Sequence, residues 1–192
     1  PLGGQRTTRS GGAWGHHEYR RAVPKANSPA VRSTEGSPVS VPVGVVGEGH
    51  PQYAALAEGA AALGLALAPG QIDGLLNYLD LLAQWNRAYN LTAVRDAPAM
   101  LTHHLLDSLS VIVPLRRHTG GAPLRLLDVG SGGGLPGVVI AVCCPEISVT
   151  CVDAVAKKAA FVQQAAGQLR LANLSALHAR VESVRERFEV VT

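Results

Sequence analysis

At 192 residues with 47% hydrophobic content, the chain is long enough for one domain with an appendage and apolar enough to fill a core. It has no apolar run long enough to span a membrane, and three cysteines, two adjacent (Cys143, Cys144) and one in a predicted strand (Cys151), make no disulfide framework, which points to buried thiols and a reducing, cytoplasmic setting. The formal charge of +3 comes from residues 1–50, which hold six Arg and Lys against three acids, whereas residues 51–192 hold eleven of each; the basic balance is therefore no argument for a nucleic-acid partner.

Residues 1–50 contain nine Gly, five Pro and five Ser and, beyond Leu2, no Leu, Ile, Phe or Met. Too little apolar surface is present to offset ordering entropy, so this stretch predicts a disordered or non-native tail. Arg20-Arg21 is not followed by the apolar core that a twin-arginine signal needs. The first residue is Pro rather than Met, which fits an altered start.

From Pro51 the pattern changes to an Ala/Leu-rich helix, Tyr53 to Leu63, and a break over Gly64 to Gly70. A long amphipathic helix comes next, with Ile72, Leu75, Leu76, Leu79, Leu82 and Trp85 at steps of three and four on one buried face, stopping near Asn90. The segment Trp85-Asn86-Arg87-Ala88-Tyr89-Asn90-Leu91-Thr92 admits two readings. Its aromatics and Arg87 suit stacking on unpaired bases; equally, it is a helix C-cap with inward aromatics and Asn90 in the left-handed position. A further helix is predicted from about Pro98 to Val113, striped by Leu101, Leu105, Leu109 and Ile112 and ended by Pro114. His103, His104 and Asp107 lie on it; without a Cys beside them they read as helix-packing or hydrogen-bonded groups before they read as metal ligands, and no metal is expected.

Leu124 to Val129 predicts a short apolar strand, after which four glycines fall within five residues and an apolar helix resumes with Pro136 in its first turn. Such a bare loop lets a ligand lie against backbone N–H groups and reads as a nucleotide-type cofactor loop. Two registers fit. Gly132, Gly134 and Gly137 match the dinucleotide pattern G-x-G-x-x-G, with the strand ending early. Asp128 followed by Gly130, Gly132 and Gly134 gives the Asp-Val-Gly-x-Gly-x-Gly form, which resembles the first motif of S-adenosylmethionine-dependent methyltransferases. Asp153, at the end of a strand from Ile147 to Val152, is placed to bind ribose hydroxyls in either case. Lys157 and Lys158 then open a helix from Val155 to Leu169, as a solvated face or an RNA contact. Leu174 to His178 predicts a third strand, Arg180-Val181-Glu182 a helical turn, and Phe188 to Thr192 a fourth strand. This alternation is the signature of a parallel α/β sheet.

Three blocks in order, Trp85 to Thr92, His104-Leu105-Leu106-Asp107-Ser108, and Asp128 to Gly137, resemble the glucose-inhibited division protein B family, also named ribosomal small-subunit methyltransferase G, from about residue 53 onward. The resemblance implies a Rossmann-like α/β class I methyltransferase fold with an N-terminal helical subdomain. Residues 51–120 would form that subdomain and 121–192 a partial methyltransferase domain. It implies a cytoplasmic S-adenosylmethionine enzyme that methylates N7 of one guanine, position 527 of 16S ribosomal RNA, with the RNA or the small ribosomal subunit as partner. It points to Gly130, Leu135, Val181 and Glu182 as cofactor contacts, beside Ser131, Gly132, Gly134 and Asp153 of the loop reading. Arg87, Asn90, Arg116, Arg117, Lys157 and Lys158 are the candidate RNA contacts, and no catalytic side chain is singled out. The family continues past Thr192 with a Ser-Arg-Ala motif whose Arg contacts the cofactor, so a truncated or frameshifted reading frame with a raw sheet edge is expected. The alternatives are an inactive fragment that at most binds ribosomal RNA, and an NAD-dependent oxidoreductase drawing on His178 or His103 and His104.

Overall fold

A computed structural model describes residues 46–192. The expected tail of residues 1–50, Arg20-Arg21 included, lies outside the described residues except for its last five. Those include a one-turn helix, Gly47–Gly49, fastened to a later helix at two points: Gly47 N donates to Asp73 Oδ1 at 3.0 Å, and His50 Nε2 lies 3.4 Å from Asp80 Oδ2.

Helix α1 (Tyr53–Ala62) buries Leu56 and Ala60. Helix α2 (Pro69–Tyr89) starts with Pro69, whose missing donor is harmless in a first turn, and Gln71 Oε1 accepts the Ala68 N–H at 3.0 Å. The face from Ile72 to Leu82 is buried as its spacing predicts, and α2 stops where Asn90 takes the left-handed conformation, φ 50° and ψ 55°.

The single helix expected from Pro98 to Val113 is instead a composite. Helix α3 (Ala97–Met100), capped by Asp96 Oδ2 on Ala99 N, runs into a π-helical stretch Leu101–Leu106 and a short turn α4 (Asp107–Leu109). Helix α5 (Ile112–Thr119) then begins, so Pro114 sits in a first turn rather than ending a helix; its absent N–H has no carbonyl to miss there. The predicted stripe survives, with Leu101, Leu105, Leu109 and Ile112 all buried.

The sheet contains β1 (Leu124–Val129), β2 (Ile147–Asp153), β3 (Leu174–His178) and β4 (Val190–Val191), all parallel, in the order β3-β2-β1-β4. This is the order of the first four strands of a doubly wound Rossmann-type sheet, whose direction of winding reverses between β1 and β4. Helix α6 (Gly137–Cys143) packs on β2, and α7 (Ala156–Gln168) packs on β2 and β3. Nearly every residue of α6 is buried because α2 and α4 cover its outer side. One continuous apolar core thus joins the helices before residue 120 to the sheet after it. All three cysteines are free and buried in that core, and no helix among the described residues is long and apolar enough to cross a membrane.

Candidate functional site

The chain leaves β1 through three left-handed residues, Gly130 (φ +68°), Gly132 (φ +59°) and Gly134 (φ +87°). At Gly134 the requirement is doubled: a Cβ there would sit 2.5 Å from Val138 Cγ2 and 3.1 Å from Val162 Cγ2. Five of the loop amides have partners within the protein. Gly130 N and Ser131 N donate to Val152 O (2.8 and 3.2 Å), Gly134 N and Leu135 N donate to Ser131 O (2.7 and 3.0 Å), and Gly132 N donates to Asp153 Oδ2 at 3.0 Å. Buried N–H groups need partners, and this loop finds them internally. From outside the loop, Tyr78 of α2 donates its fully buried hydroxyl to Gly133 O at 2.6 Å.

The two strand-end acids hold this turn in place. Asp128 is buried, accepts the Gly137 N–H at Oδ2 (2.9 Å) and the Thr192 hydroxyl at Oδ1 (3.2 Å), and has the Cys151 thiol 3.7 Å away. Burial pushes its carboxyl up to about 6, against the lowering effect of the hydrogen bonds it accepts. Asp153 accepts at both oxygens, from Gly132 N and from Val155 N (2.8 Å), with Lys158 Nζ 3.9 Å from Oδ2. Its first task is therefore to tie the loop to the start of α7.

Above the C-terminal ends of β1, β2 and β3 lies a crevice of about 210 Å³ lined by Val129, Gly130, Val152, Asp153, Ala154, Ala179, Arg180, Val181 and Glu182. Of the predicted cofactor residues it gathers Gly130, Asp153, Val181 and Glu182. A Cβ on Gly130 would meet nothing within 4 Å, so this face of the loop is open. Ser131, Gly132 and Gly134 belong to the loop's supporting side; Ser131 and Gly134 are buried. Leu135 lies at the loop's far end and lines a second cavity of about 290 Å³ with His103, His104, Asp107, Ser108, Val111 and Pro136. Arg180 is a crevice residue that sequence reasoning misses, although its place directly after a strand end is the signal that marks Val181 and Glu182.

The candidate RNA contacts divide. Arg87, Arg117 and Lys157 are exposed. Arg116 donates to Cys143 O at 2.8 Å and closes the end of α6, while Lys158 leans on Asp153. Asn90 is the C-cap of α2 and accepts from Arg95 at 2.6 Å. The segment Trp85–Thr92 has the features of a cap: Trp85 packs edge-on against Phe161, and buried Asn86 accepts Thr92 N and donates to Val94 O. Tyr89 is the aromatic of this segment that stays exposed, 42% accessible, its ring centroid 5.0 Å from that of Trp85. Arg87 and Arg95 line a third cavity of about 330 Å³. Among the described residues no three His, Cys, Asp or Glu side chains are grouped to hold a metal.

Residues 71–192 match the family model described as rRNA small subunit methyltransferase G. The chain is similar to the ribosomal RNA small subunit methyltransferase G of Acidovorax ebreus (strain TPSY), 64% identical over 146 residues, covering 72% of this chain and 65% of that protein. It is similar to that of Paracidovorax citrulli (strain AAC00-1), 59% identical over 150 residues, covering 72% and 62%, and to that of Leptothrix cholodnii (strain ATCC 51168 / LMG 8142 / SP-6), 59% over 144 residues, covering 74% and 66%. The chain thus spans between 62% and 66% of the length of these relatives.

Proposed function

The chain belongs to the rRNA small subunit methyltransferase G family, and on that footing we propose that it binds S-adenosylmethionine and methylates N7 of a guanine in 16S ribosomal RNA, at the position numbered 527. The observation that supports the cofactor most directly is the inward engagement of the loop amides. A dinucleotide's pyrophosphate is bound by free N–H groups at such a loop, and here five of them already donate within the protein. S-adenosylmethionine carries no phosphate and makes no such demand.

The crevice suits the nucleoside end of this cofactor. Its volume lies below the ~300 Å³ at which pockets for whole drug-sized ligands begin, so it accommodates part of the molecule. Val129 and Val181 give apolar walls, and the exposed Glu182 carboxylate offers an acceptor for ribose hydroxyls, which Asp153 supplements from lone pairs left over by its backbone bonds. When bound, the cofactor supplies a sulfonium methyl group as electrophile. Guanine N7 already presents a lone pair on its Hoogsteen edge, so no side chain has to remove a proton before attack. The protein's task is orientation: Asp128, Asp153 and Tyr78 hold the loop that holds the cofactor, an effect worth several kcal/mol when a bimolecular step becomes intramolecular. Arg87, Arg117 and Lys157 are the exposed cations available to RNA phosphates.

One observation favours the oxidoreductase reading. A Cβ at Gly137 would overlap Cys151 Sγ of β2 and lie 2.7 Å from Asp128 Oδ2 of β1, which is the close helix–strand approach that the third glycine of G-x-G-x-x-G provides. Against it, His178 Nε2 is bonded to Ala154 O at 3.1 Å, and His103 and His104 line a different cavity. A thermal-shift titration with S-adenosylmethionine, S-adenosylhomocysteine and NADH decides between them. Stabilisation by the first two alone is expected, reaching about 2.7 kcal/mol at a hundredfold excess over Kd. Stabilisation by NADH alone, or by none of the three, overturns the proposal for this chain.

A further inference from the structure

Of the second cavity's lining the cofactor reading uses Leu135 alone. It lies between the π-helical stretch and turn α4 on one side and the Leu135-Pro136 end of the glycine loop on the other. Its polar groups are of two kinds. His104 is fixed, its Nε2 2.9 Å from Thr92 Oγ1, and Thr92 Oγ1 in turn accepts the Val94 N–H. Asp107 is exposed, and its carboxylate has no hydrogen-bond or ion-pair partner among the described residues; the His103 ring is likewise exposed and unpaired among them. Leu135, Pro136 and Val111 supply apolar walls. A π-helical stretch interrupts the regular winding of this segment, a feature frequent at functional sites.

We infer that this cavity takes the target guanine, with the Asp107 carboxylate accepting from guanine N1–H and the 2-amino group. The inference rests on the methyltransferase reading above. A carboxylate with both oxygens free matches two adjacent donors, and of the four RNA bases only guanine presents a ring N–H and an amino group side by side. Gripping the Watson–Crick edge leaves N7, on the opposite edge, unengaged and able to react. The base must be unstacked to be held this way, and the apolar walls together with the His103 ring provide surfaces against which an extruded base packs. The glycine loop spans the two cavities: Gly130 lines the cofactor crevice, and Leu135 and Pro136 line this one.

The test is an NMR titration of the histidine ring resonances of the full chain with guanosine, inosine and adenosine 5′-monophosphates. Guanosine monophosphate is expected to move the His103 and His104 signals. Inosine monophosphate, lacking the 2-amino group, should bind several-fold more weakly, and adenosine monophosphate should leave these signals in place. Asp107→Asn should weaken guanosine monophosphate binding about tenfold or more, since a bidentate base contact carries discrimination of that order. A cooperative urea unfolding transition with the wild-type midpoint checks that the variant is folded. Equal shifts with the adenine and guanine nucleotides, no shift with guanosine monophosphate, or an unchanged affinity in a folded Asp107→Asn protein each overturn the proposal. Guanine-selective shifts in a protein that ignores S-adenosylhomocysteine sustain the base site and refute the cofactor reading instead.

Discussion

Gly137→Ala tests how tightly the loop, the strand acid and the following helix are locked together. An alanine Cβ at this position would overlap Cys151 Sγ and stand 2.7 Å from Asp128 Oδ2, the oxygen that accepts the Gly137 N–H. Neither neighbour is the free end of a flexible side chain: Cys151 is held in the middle of β2, and Asp128 is bonded at both oxygens. Overpacking costs about 1–3 kcal/mol. Losing a buried hydrogen bond to a carboxylate adds about 1.5–3 kcal/mol. The backbone entropy gained on replacing glycine returns at most about 1 kcal/mol, so a net loss of about 3–4 kcal/mol is expected. With a urea m-value of about 2 kcal/mol/M for a domain of this size, the unfolding midpoint should fall by about 1.5–2 M. Gly167→Ala is the control, because a Cβ there meets nothing within 4 Å and the residue lies in α7 with ordinary backbone angles; it should change stability by less than about 1 kcal/mol, on the stabilising side. A Gly137→Ala midpoint within error of the wild type, or equal losses in both variants, would refute the packing argument.

Two further expectations concern the groups that hold the loop. The Asp128 carboxyl, raised to about 6 in the folded protein, binds its proton more tightly than in the unfolded chain, so its stabilising contribution is full below about pH 4 and is lost as pH rises through 6, by about 3 kcal/mol over two pH units. Asp128→Asn should remove that slope, its amide still accepting from Gly137 N; parallel stability profiles for the two proteins across this range would contradict it. Tyr78→Phe deletes the hydroxyl bonded to Gly133 O and should cost about 1–2 kcal/mol in urea unfolding while weakening S-adenosylhomocysteine binding. An unchanged affinity would show that the loop holds its shape without α2.

Residues whose role depends on local pattern are legible in the sequence. β1 and β3 match their predicted bounds, β2 differs by one residue, and Asn90 occupies the left-handed cap that its position after an amphipathic run suggests. What stays hidden depends on groups far apart along the chain. Nothing near Asp153 says that both its oxygens will be taken by Gly132 N and Val155 N. Arg116 looks like a free cation until the fold brings Cys143 O to it, and Tyr78 looks like one more apolar member of a helix face until Gly133 O arrives. The π-helical stretch leaves no trace of its own. Leu101, Leu105 and Leu109 recur at steps of four, the spacing of one face of an ordinary α-helix, and so mark the buried side of the segment without marking its winding. Pro114 is ambiguous because a proline ends a helix or begins one with the same chemistry, and only the break after Leu109 decides which.

The tie between Tyr78 and Gly133 also bears on the order in which the protein is made. A chain emerging from its N-terminus delivers the Tyr78 hydroxyl 55 residues before the carbonyl it will hold. The α2 segment is therefore synthesised before the glycine loop, and the tie closes only when both segments are available. A chain whose α2 fails to form would lack this anchor on the glycine loop.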